Sequence, residues 1–120
     1  MLKIHEFSLA TGELASVFLR GGEGTFEILE GERVFTLPTR ALRAVMAKYG
    51  APFDPDARIM AIAELECDSA RVRHVRHLAG YDVIARDYLV FEEPGEPVWC
   101  ALAATVVPAL LHLARAAAQP

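Results

Sequence analysis

The stretch Asp68–Asp82, DSARVRHVRHLAGYD, sets three arginines and two histidines within the seven positions from Arg71 to His77. Whether those positions coil or extend decides the fold, because they lie midway between a set of glycine-punctuated strands and an apolar tail. On a helical wheel Val72, Val75, Leu78 and Ala79 share an arc of about 120°, with Arg73, His74, Arg76 and His77 opposite. Strand alternation would put Val72 and Val75 on opposite faces. Asp68 suits an N-cap and Gly80 the position just past a helix end, so the spacing predicts a helix over 70–78. A hairpin turning at Ala79-Gly80 is the alternative.

Upstream, glycines recur about every ten positions, at Gly12, at Gly21, Gly22 and Gly24, and at Gly31, each flanked by Phe, Val, Ile or Leu. That is the pattern of an antiparallel meander, with strands over 2–9, 14–20, 25–30 and 33–37. Leu2 and Ile4 share a parity that Phe7 and Leu9 do not, which places a bulge in the first strand. The period then changes. Leu42, Val45, Met46 and Tyr49 recur at helical spacing, Thr39 can cap the first turn and Gly50 suits a left-handed terminating residue, giving a helix over 39–49. Pro52 and Pro55 force an extended turn too short to separate domains, and ARIMAIAELEC reads as a strand over 57–66.

Downstream, YDVIARDYLVFEE reads as a strand over 82–91, broken by EEPGEP. In PVWCALAATVVPALLHLARAAA, Trp99, Leu102, Val106, Leu110, Leu113 and Ala117 repeat every three to four residues while Pro108 falls on the other side. This predicts one long helix over 97–118, kinked at Pro108; a strand followed by a helix starting at Pro108 is the alternative. The uncharged run Pro97–Ala114 approaches the roughly 18 residues of a membrane span. It is Ala-rich, contains a proline and lacks aromatic and cationic anchors at its ends, so no membrane span is expected.

Composition bounds the function. The 120 residues fit a single domain, and 53% of them are hydrophobic before the eight glycines are counted, above the roughly 45–50% of ordinary soluble domains. Such a surplus points to apolar surface that a partner covers, most simply in a homodimer. The net charge is −4, with 16 acidic and 12 basic side chains, which argues against a domain whose main work is neutralising phosphates. Residues 1–50 carry six of each sign, whereas 51–120 carry ten acids and six bases, so the arginine cluster lies in the acidic half. Cys67 and Cys100 are far apart without metal spacing and are expected as reduced thiols. MLKIHEF shows no secretory pattern, and twenty alanines against two lysines and no asparagine suggest a GC-rich bacterial source. A cytoplasmic location follows as the expectation.

Within the cluster, Arg71, Arg73 and Arg76 with His74 and His77 form a candidate anion site, since guanidinium forks match phosphate and carboxylate geometry. Pairing with nearby acids, Glu64, Glu66 and Asp68 before and Asp82 and Asp87 after, is the structural alternative. His74 and His77 with Cys67 or Asp68 also have ligand chemistry. Each neighbouring arginine would oppose a dication by on the order of 1 kcal/mol, so no metal site is expected. RGGEGT lacks the lysine and Ser/Thr of a phosphate loop. No serine sits in G-x-S-x-G and no cysteine has a histidine at nucleophile spacing. No catalytic residue or cofactor is therefore assigned.

Four antiparallel strands and a helix, then further strands and a closing helix, resemble the arrangement of Whirly-type single-strand binders, with residues 14–50 carrying the likeness. The resemblance is one of topology and implies a sheet surface for single-stranded nucleic acid. The strands are nearly free of lysine, and Gln119 alone represents Asn and Gln, so nucleic acid is not the expected partner. Phe18, Phe26 and Phe35 are expected in the core. The sequence thus predicts a single α+β domain, a mainly antiparallel sheet with helices on one face and a long kinked C-terminal helix. Its expected role is that of a non-catalytic binding or assembly module. Self-association would use the stripe Trp99, Leu102, Val106, Leu110 and Leu113 or an uncovered sheet face. An anion or single-strand binder, and a protein with a pocket for a hydrophobic small molecule, are the alternatives.

Overall fold

The computed structural model describes residues 1–67, 70–78 and 86–118. Its first part is the expected meander: β1 (Leu2–Ser8), β2 (Leu14–Gly21), β3 (Thr25–Glu30) and β4 (Arg33–Pro38) pair antiparallel in that order. The expected bulge is there, between Lys3 and His5. Gly12, Gly24 and Gly31 take positive φ in the three turns, where a Cβ would be strained.

Helix α1 (Thr39–Tyr49) follows directly and buries Leu42, Val45 and Met46. Its ends differ from expectation. Pro38, not Thr39, occupies the N-cap position, and Thr39 Oγ1 is buried without a hydrogen-bond partner among the described residues. Gly50 is extended, at φ −109°, so it is not a left-handed cap. It is required for space: a Cβ there would lie 2.5 Å from the Met46 carbonyl oxygen and 3.0 Å from that of Cys100.

The second part repeats the scheme. After the two-residue β5 (Ala51–Pro52) come β6 (Ile59–Cys67), β7 (Ala70–His77), β8 (Arg86–Glu92) and β9 (Trp99–Leu102), then α2 (Ala103–Ala118). The second sheet is again antiparallel, in the order β5-β9-β8-β7-β6. Among the described residues the first part is four strands and a helix and the second five strands, one of them only two residues long, and a helix, so two sheets stand where one was expected.

Two expectations are corrected here. Residues 70–77 form a strand, not a helix. A helical pattern implies one buried face, but β7 is covered on both: Ala70 and Val72 join the main core while Val75, equally buried, faces the other way. Strand pairing also sets Arg71 opposite Glu92 and Arg76 opposite Asp87, which a helix could not do. The expected caps Asp68 and Gly80, the start of the following strand at 82–85, and Gln119 lie outside the described residues. Second, the terminal helix begins at Ala103 rather than Pro97. Residues Trp99–Leu102 satisfy the edge of β8, pairing Leu89 with Ala101 and Val90 with Cys100, and an open strand edge in an apolar interior costs more than the helical stripe returns. Pro108 stays inside α2, on an exposed position.

One core joins everything. Leu2, Val17, Leu19, Phe26 and Ile28 from the first sheet meet Val72, Leu89 and Phe91 from the second, with Leu42 and Met46 of α1 and Val106 and Leu110 of α2. Helix α2 packs on β1 and β4 of one sheet and on β8 and β9 of the other, so both helices fill the space that the two inner faces enclose. Phe26 and Phe35 are core residues as expected, whereas Phe18 is only half-buried, on the outer face.

Candidate functional site

Because β7 is a strand, its basic residues divide between two faces. Arg71, Arg73 and His77 share the outer face with Val75, while His74 and Arg76 share the inner face with Ala70 and Val72. They therefore cannot converge on one anion. Each guanidinium also has a carboxylate. On the outer face Arg71 Nε donates to Glu92 Oε2 at 2.8 Å and Arg73 Nη2 to Glu92 Oε1 at 2.7 Å, with Glu64 4.0 Å from Arg71. The hydrogen bond to Glu92 raises the Arg71 pKa above its ordinary value. Arg73 also lies over the Phe53 ring, 5.6 Å from its centroid, an arrangement that favours a planar cation.

On the inner face Arg76 Nε donates to Asp87 Oδ1 at 3.0 Å. His74 Nε2 is 3.0 Å from Asp87 Oδ2 but poorly directed for a ring N–H, so it counts as a contact rather than a good hydrogen bond. Partial burial pushes the Asp87 carboxyl up, yet Arg76 and His74 outweigh it and hold the pKa below the usual carboxylate range. The cluster is thus a cross-strand ladder whose guanidinium groups are taken by β8 carboxylates and Glu64. Among the described residues no group of three or more His, Cys, Asp and Glu side chains is placed to hold a metal ion.

Among the clefts that border β7, two lie on its opposite faces. The inner one, about 490 Å³, lies between β1, β8 and the start of α2 and brings together Lys3, His5, Glu6, His74, Arg86 and Asp87. Lys3 pairs with Glu6, and Arg86 forms no ion pair among the described residues. Sequence reasoning selected His74 alone from this group; Lys3, His5 and Arg86 are separated along the chain by most of its length, and no local spacing could unite them. The outer cleft, about 250 Å³, lies between the second sheet and the segment 51–59.

The apolar surplus is distributed differently from the expected stripe. Val106 and Leu110 are fully buried within the chain, Trp99 and Leu102 are half-buried on β9, and only Leu113 of the five is exposed. Exposed apolar side chains gather instead on β6, the edge strand of the second sheet. Met60, Ala61, Ile62 and Ala63 are exposed in succession, and Leu78, whose N–H donates to the Arg58 carbonyl, adds a fifth beside them. The far end of β6 is occupied: Cys67 and Glu66 abut Gly21 of β2. Among the described residues no helix is long and apolar enough to cross a membrane.

A scan against protein-family models, a search of curated proteins and a search of solved structures each find no match.

Proposed function

We propose that this chain is a small assembly module that forms a closed homodimer through Arg58–Glu64, the residue before β6 and the part of β6 that is unpaired on its outer edge among the described residues. The observation that carries the reading is the run of exposed apolar side chains, Met60 to Ala63, on the outer strand of a sheet. An edge strand with four consecutive exposed apolar residues is a ready template for pairing.

The occupant is a second copy because the strand complements itself. A two-fold antiparallel pairing centred on Ala61 sets Met60 of one copy beside Ile62 of the other and brings Arg58 level with Glu64. Arg58 has no ion pair among the described residues, so the contact supplies one at each end. The contact of Glu66 and Cys67 with Gly21 limits the pairing to the first part of the strand, and a two-fold contact uses up the edge of both copies, which favours a closed pair. The basic ladder on β7, its charges already matched, does not favour the anion or nucleic-acid reading.

The test is mass in solution by light scattering over a range of concentrations. Wild type should show twice the chain mass, and Ile62→Glu should show a single chain with an unchanged circular dichroism spectrum. A wild type that stays single-chain at every concentration, or an Ile62→Glu protein that keeps the doubled mass, overturns the proposal.

A further inference from the structure

The outer cleft is built on the opposite side of β7 from the ion-pair ladder of Asp87, by parts that hold one another rigidly. Its floor is Val75, Tyr88 and Cys100 of adjacent strands, and its walls are Pro52 and Phe53 on one side and Ile59 and His77 on the other. The Pro52–Phe53 wall is fixed: Ala51 and Pro52 pair with Cys100 and Trp99, the Phe53 N–H donates to the Val98 carbonyl at 2.9 Å, and the ring sits under Arg73. The turn over the top is fixed too. The Asp56 N–H donates to Asp54 Oδ1 at 2.9 Å and the Ala57 N–H to the Asp54 carbonyl at 3.1 Å. A cleft whose walls are set by backbone pairing and turn hydrogen bonds exists before any ligand arrives, which lowers the ordering cost of binding.

Its chemistry is narrow. Apolar and aromatic groups form most of the lining, and two polar groups, the His77 ring and the Tyr88 hydroxyl, face it without any side-chain hydrogen bond among the described residues. The two rings meet edge to face at 5.4 Å between centroids. Burial pushes the Cys100 thiol up, with Arg73 offsetting part of the effect, so the floor carries no thiolate at neutral pH. The charged group of the lining is Asp54, which disfavours an anionic ligand. A volume of about 250 Å³ is at the small end for ligand sites and admits a flat molecule of one or two rings.

We infer that the outer cleft binds a small, neutral, planar aromatic molecule bearing one hydroxyl or N–H group, which stacks between Pro52–Phe53 and Ile59 and hydrogen-bonds to His77 or Tyr88. This goes beyond self-association and does not depend on it.

Indole is the probe, titrated into the ¹⁵N-labelled chain and followed by two-dimensional NMR. Shifts should be confined to residues 51–59, 75–77, 88 and 100, and should saturate. Ala57→Phe, which fills the cleft from its rim, should abolish them while leaving the rest of the spectrum in place. Tyr88→Phe should weaken binding by roughly two- to tenfold, the worth of one neutral hydrogen bond, and benzoate should bind more weakly than indole. Ile62→Glu, outside the cleft, should leave saturable indole shifts at 51–57, 75–77, 88 and 100 in place, so loss of the dimer and loss of indole binding remain distinguishable although Ile59 borders both. Absence of saturable shifts at millimolar indole, shifts scattered over the surface, or unchanged binding in Ala57→Phe overturns it.

Discussion

Asp87 gives the inner face of the ladder its pH dependence. Its carboxyl sits between Arg76 and His74, and although burial opposes ionisation, their combined pull leaves its pKa below the ordinary 3.8. A depressed folded-state pKa contributes stability that is present above the unfolded value and is lost as pH falls through the folded one. Asp87→Asn should therefore lower stability at pH 7 by on the order of 1 kcal/mol, as for partly exposed pairs, and the difference from wild type should shrink as the pH is taken below 3.8 toward the depressed folded value. Denaturant titrations of both proteins at pH 7 and pH 2.5 check this; a gap that persists undiminished in acid would mean the carboxylate charge is not responsible. The pairing itself was foreseeable from the acids flanking the arginines. Which acid meets which base was not, since Glu92 reaches Arg71 and Arg73 only through a register that no local pattern encodes.

Helix α2 is the element where local preference and tertiary demand pull apart. Pro108 stands inside it and removes the hydrogen bond that the Ala104 carbonyl would accept, on a stretch where both residues face solvent. Pro108→Ala should stabilise the chain by about 1–3 kcal/mol, since an interior proline costs up to about 3 kcal/mol relative to alanine, and thermal melting should rise accordingly; an unchanged or lower melting point would show that the proline ring contributes to the helix's packing on both sheets. The helical stripe was legible from Ala103 onward. Before it, Trp99 and Leu102 fit the same wheel and yet pair with β8, because sheet edges are satisfied by non-local partners that a wheel does not register. For β7 the error came from a premise. The helical pattern needs Val72 and Val75 on one buried face, and the segment around Phe53 supplies a second cover that only the assembled fold reveals. The strands of the first sheet and α1 were readable because glycine turns and the i, i+3, i+4 spacing are local.

At the scale of the molecule the two halves meet through narrow contacts as well as through the shared core. Gly21, at the end of β2, lies so close to β6 that an added Cβ would stand 2.9 Å from the Cys67 Cβ and 3.1 Å from the Glu66 carbonyl oxygen. Gly21→Ala should destabilise the chain by about 1–3 kcal/mol, as overpacking does, and Cys67→Gly in the same chain should restore part of the loss while Cys67→Ala should not. Urea titration of the three proteins measures it, and equal effects of the two Cys67 substitutions would show that the Cβ contact is not the cause. The apolar surplus was evident in composition, but its location was not. Composition counts greasy residues without saying which the interior absorbs, and Val106 and Leu110, which looked available on a wheel, are needed inside.

The shared core also governs how the chain can be made. During synthesis β1 to β4 leave the ribosome long before α2, and hairpin by hairpin they can zip up unaided, since each strand pairs with its immediate predecessor. Their inner face, lined by Leu19, Phe26 and Ile28, nevertheless has no roof until Val106 and Leu110 arrive. For that interval the nascent sheet is a sticky, half-finished surface of the sort chaperones guard, and crowded expression at high temperature should hurt this protein more than its modest length would suggest.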